Sequence, residues 1–131
     1  MLAKEDRAWF DEQLEAVLEE QPQMVKDLIE QVPLVVDDYP SAERCRELGL
    51  SSPSDLCGLY VGVSLDKKTF ESSRDPTDTV YLYRAGIFHE AAEADGTVFD
   101  DRLRDEIRKT ILHEYGHHHG MDEDELEELG Y

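Results

Sequence analysis

Leu103, Ile107 and Ile111 recur at helical spacing and lead directly into His113-Glu114-Tyr115-Gly116-His117. One helix must therefore bury an apolar stripe and also carry an H-E-x-x-H pattern near its end. No other segment constrains the fold as tightly, because such a helix needs a packed partner along its length and an opening at its polar tip. Asp100 or Asp101 is placed to cap its start.

Two histidines four residues apart are separated by about 400° of helical rotation, so His113 and His117 project from nearly one face, one turn apart. They can share one metal ion. Glu114 stands about 100° round from His113, within reach of a water in an open coordination position, where a general base belongs. A catalytic zinc uses three protein ligands and leaves the fourth position free. The third ligand is expected after Gly120, a glycine suited to the left-handed turn that ends a helix and sends the chain back. Glu123 stands three residues beyond that glycine, where a longer zinc-protease pattern carries its third histidine, and Asp122 is the alternative. His118 and His119 lie about 100° and 200° on from His117, away from the ligand face.

Elsewhere, Phe10, Leu14, Val17 and Leu18 predict an amphipathic helix to about residue 20, and Pro22 opens a second, with Met24, Val25, Leu28, Ile29 and Val32 as its stripe. Residues 33–36 read as a short strand stopped by Asp37 to Pro40, and Ser41 as the cap of a short helix closed by Gly49. Residues 59–65 are strand-like, though Gly58 and Gly62 weaken them. Residues 66–78 read as a polar loop, either plain surface or a lid near the site. Residues 79–83, Thr-Val-Tyr-Leu-Tyr, form the clearest strand. Residues 86–94 read as a short helix. Without repeats or low-complexity linkers, residues 1–131 read as a single domain.

These residues resemble the minimal zincin-like metallopeptidases of bacteria. The resemblance runs through Leu59-Tyr60-Val61-Gly62-Val63, Val80 to Arg84, Ile107 to Glu114 and the terminal Asp124 to Tyr131. It is close over residues 107–131 and looser from about residue 20. It implies an α/β (α+β) fold, with a small mixed sheet packed against helices that include the H-E-x-x-H helix. It also implies His113 and His117 as ligands, Glu114 as base and an acid after Gly120 as the last ligand. Family members tend to carry Asp where this chain has Glu123. By the same resemblance, residues 79–83 are a candidate for the edge strand that pairs with an extended substrate; a central core strand is the alternative.

The implied function is peptide-bond hydrolysis by a zinc-activated water, with a peptide or protein as substrate. The alternative is a non-catalytic zinc-containing or peptide-binding module on the same fold. Metal storage through His117-His118-His119 is a third reading, which predicts several weakly held ions. A donor for the developing oxyanion is not evident; Tyr83, Arg84, Tyr115 and Tyr131 are candidates. Only eight residues follow Glu123, too few to suggest a further helix supplying a donor.

A net charge of −19 argues against nucleic acid and anionic membrane as partners, and favours a neutral or basic peptide. Cys45 and Cys57 form no C-x-x-C pair and read as reduced, partly buried thiols. Met1 to Arg7 carries charges where a signal peptide needs an apolar core, and no apolar run is long enough to span a bilayer, so a cytoplasmic home is expected.

Overall fold

The apolar spacings read from the sequence become two helices packed with one sheet in the computed structural model, which describes residues 2–62 and 78–131. Helix α1 (Lys4–Glu20) buries Phe10, Leu14 and Val17. Helix α5 (Asp100–His118) buries Leu103, Ile107 and Ile111 against them. Strands β1 (Leu34–Asp37), β2 (Gly58–Val61) and β3 (Thr79–Tyr83) form a sheet in the order β1-β3-β2, and β3 contributes Val80 and Leu82 to the same core. Helices α2 (Gln23–Gln31), α3 (Ala42–Leu48), α4 (Arg84–Ala91) and α6 (Glu123–Glu128) complete the described elements, with a single 3-10 turn at Pro53–Asp55. The fold is α+β and the sheet is mixed: β1 runs parallel to β3, and β2 antiparallel to it.

That order decides between the two readings of residues 79–83, against the edge strand and for the central one. β3 is central because its alternate residues Val80 and Leu82 are fully buried and both of its backbone edges are paired. Among the described strands β2 is the edge strand beside α5, and glycine makes this close packing possible. A Cβ on Gly58 would lie 2.6 Å from Thr110 Cγ2 and 3.1 Å from Glu114 Cγ, so only a residue without a side chain lets β2 approach α5 so closely. The reading of a strand to residue 65 and a loop or lid at 66–78 falls largely outside the described residues.

Two further expectations change at the ends of α5 and α6. Phe99, not an aspartate, occupies the N-cap of α5; Asp100 is already helical and accepts the Trp9 indole N–H at 2.6 Å, which ties α1 to α5. The chain after Glu123 is helical after all, with Asp122 as N-cap accepting the Glu125 N–H at 2.9 Å. A capping box marks the start of this short helix, and burial of Leu126 holds it in place. The short helix expected at 86–94 begins earlier, as α4 directly after β3. Among the described residues no helix is long and apolar enough to cross a membrane.

Candidate metal centre

The last turns of α5 bring His113 and His117 together, with ring centroids 4.8 Å apart and Nε2 atoms separated by 3.2 Å. The turn that follows fixes one of them. Gly120 adopts φ +89°, Gly120 N–H donates to His117 O at 2.9 Å and Met121 N–H to Gly116 O at 3.1 Å, a Schellman closure. It places the Met121 carbonyl 2.9 Å from His117 Nδ1. A carbonyl only accepts, so Nδ1 carries a proton and Nε2 is the nitrogen left to face the site.

The same closure directs α6 back across α5. Gly116 is the seat: a Cβ there would drive into the buried Leu126 side chain. Glu123, the first residue of α6, thereby places Oε1 2.8 Å from His117 Nε2 and 3.2 Å from His113 Nε2. Slight desolvation works against ionisation of the exposed Glu123, but the neighbouring His113 and His117 outweigh it and hold its carboxyl below the usual range. Asp122, the other acid considered, is engaged as the helix cap.

Glu114 lies on the other flank, 8 % exposed. Its Oε1 accepts the Tyr60 backbone N–H at 2.9 Å, and its Oε2 stands 3.8 Å from His113 Nε2. Burial pushes its carboxyl above the usual range, against the opposing pull of His113, His117 and the Tyr60 N–H. The ligand atoms of His113, Glu114 and His117 all lie within 4.8 Å of one another, so this group can hold a metal ion. Two carboxylates thus compete for the third place beside the histidines. Donors about 2.0–2.2 Å from a tetrahedral zinc are about 3.3–3.6 Å apart, and the His113, His117 and Glu123 atoms, 2.8–3.2 Å from one another, are somewhat closer than that spacing. Glu114 is farther off, and one of its oxygens is already occupied.

A cavity of about 400 Å³ opens on this flank, lined by Cys57, Gly58, Thr110, His113, Glu114 and Tyr131 among others. The Cys57 thiol is pushed up to about 12 by burial and by Glu90, Glu106 and Glu114, so it stays protonated and is a poor metal ligand here. A larger apolar groove of about 570 Å³ lies on the far side of α5 and reaches neither His113 nor Glu114. Three of the four oxyanion-donor candidates are committed elsewhere. Tyr115 Oη donates to Val32 O at 2.7 Å, Arg84 pairs with Asp11 and Asp38 at 2.9 and 3.0 Å, and Tyr83 is buried against the sheet. Tyr131 alone of the four lines the cavity.

Sequence reasoning did not find Tyr60, whose contribution is a backbone N–H, nor the partners of His118. That histidine is buried at 4 % exposure, with Nδ1 3.3 Å from both Tyr60 Oη and Asp78 Oδ2. Gly58 was the available signal, since a glycine inside a strand marks a close backbone approach. Residues 29–131 match a family model described as zincin-like metallopeptidase, a span that begins within α2 and includes every residue of the site. No curated protein matches the chain.

Proposed function

Because the chain belongs to the zincin-like metallopeptidase family, we propose that it is a zinc-dependent peptidase in which His113, His117 and Glu123 hold the metal and Glu114 is the general base. The observation that carries this reading is the convergence of three donor atoms within 3.2 Å of one another beside a buried carboxylate. A zinc held by these residues would supply Lewis acidity, polarising the substrate carbonyl and making a water more acidic.

The chain's own residues do the rest. Glu114 Oε2, the oxygen not engaged by Tyr60, takes the proton from the attacking water and passes it to the leaving amine. A carboxyl raised by burial is a better match to that task at neutral pH than a solvated one. Tyr131, at the cavity wall, is the candidate donor to the developing oxyanion. β2 presents its outer edge to the cavity. Tyr60 points its N–H away from β3, and strand alternation sets Gly58 the same way, so an extended substrate would pair along Gly58. With net charge −19, neutral or basic peptides are favoured over acidic ones.

The test is incubation of zinc-loaded protein with a mixture of unstructured peptides, with cleavage read by mass spectrometry. New termini should form with the native chain and be absent with Glu114→Gln. Equal cleavage by both would remove Glu114 as base. Zinc binding with no cleavage by either would leave a non-catalytic zinc-containing or peptide-binding module.

A further inference from the structure

Behind Glu114, on the side away from the histidine column, lies a polar cluster that the hydrolytic reading does not use. Tyr60 Oη donates to Asp78 Oδ2 at 3.0 Å, and His118 Nδ1 stands 3.3 Å from both. The Tyr60 and His118 rings meet edge-on, with centroids 5.5 Å apart. Asp78 and His118 are 7 % and 4 % exposed. Gly62 closes over them: a Cβ there would lie 2.6 Å from Asp78 Cγ and 2.9 Å from Tyr60 Oη. Burying an acid and an imidazole is costly unless they are paired, and apolar side chains would fill the same space without that cost.

Tyr60 faces two ways. Its hydroxyl is held by the residue preceding β3 and by the last turn of α5, while its backbone N–H donates to Glu114 Oε1 at 2.9 Å. We propose that Tyr60, Asp78 and His118 are a positioning cluster that clamps β2 to α5 and so holds the Glu114 carboxylate in its working orientation. The inference rests on Glu114 being the base. None of the three touches the reacting atoms. They act through the Tyr60 N–H, which fixes Oε1 and leaves Oε2 directed to the His113 side. Held in this way, the base does not have to be reoriented in each turnover.

Tyr60→Phe removes only the hydroxyl, and Asp78→Asn keeps the shape and one acceptor oxygen. Both are to be compared with the native chain, zinc-loaded, by zinc content, by amide hydrogen exchange at residue 60 with Val80 as reference, and by kcat and KM on a peptide the native chain cleaves. Tyr60→Phe should keep its zinc, exchange faster at residue 60 but not at Val80, and lose about tenfold in kcat with little change in KM. Asp78→Asn should fall less than Asp78→Ala. Unchanged exchange at residue 60, or zinc lost in step with activity, would overturn the clamp; so would equal acceleration at Val80. If the native chain cleaves no peptide, the exchange result still decides the clamp, and only the hydrolase reading fails.

Discussion

At the scale of single residues, Glu114 and Glu123 show how one side-chain type is given two roles by its surroundings. Glu114 is buried and its carboxyl raised; Glu123 is exposed to solvent and its carboxyl lowered by two imidazoles. A carboxyl whose folded value exceeds its unfolded value costs stability when ionised; that cost is full above the folded value and fades as pH falls from there to the unfolded value. Glu114→Gln should therefore melt higher than the native chain when both are metal-free at neutral pH, with the difference shrinking on acidification; calorimetry of the two proteins checks this. The same variant should lose about 10²- to 10⁴-fold in kcat while retaining zinc. Asp122→Ala should cost about 1 kcal/mol of stability through loss of the α6 cap, yet leave zinc affinity far less changed than Glu123→Ala, as read by competition with a zinc chelator. The residue types and spacing of the site were legible in the sequence because a helix fixes the angle between positions 113, 114 and 117. The Tyr60 partner was not, since it is a backbone group 54 residues away whose direction depends on strand register.

Among elements, α6 had no sequence signature that outweighed its brevity. Its existence depends on tertiary contact, with Leu126 seated on the bare backbone of Gly116. Gly116→Ala illustrates the consequence. Alanine is the better helix former, so α5 gains local propensity, but the new methyl displaces Leu126 and with it Glu123. Zinc affinity should fall while helical content, followed by circular dichroism, does not. Long elements with strong periodicity, α1 and α5, were legible because their stripes span several turns. The place of β3 was not, because a strand's own residues do not state which neighbours flank it. A central and an edge strand differ in what lies beyond them, here β1 and β2 on either side.

For the molecule as a whole, burial and charge act in opposite directions. Leu103, Ile107 and Ile111 lie at 0–1 % exposure and bind α5 to α1, so Ile107→Ala should cost about 2–5 kcal/mol in urea unfolding. A net charge of −19 works against compaction, and salt shortens the reach of that repulsion from about 30 Å at about 0.01 M to about 10 Å at about 0.1 M, so the melting temperature should rise over this range. The family assignment and the geometry meet at the tip of α5, where a core-anchored helix and a short returning helix together face one point in space. The most direct test of that arrangement is zinc stoichiometry by native mass spectrometry of the purified chain beside His117→Ala and Glu123→Ala. One zinc per chain, lost in His117→Ala and weakened in Glu123→Ala, is the expected result; no zinc, or several loosely held ions indifferent to both substitutions, would contradict a metal centre built from α5 and α6.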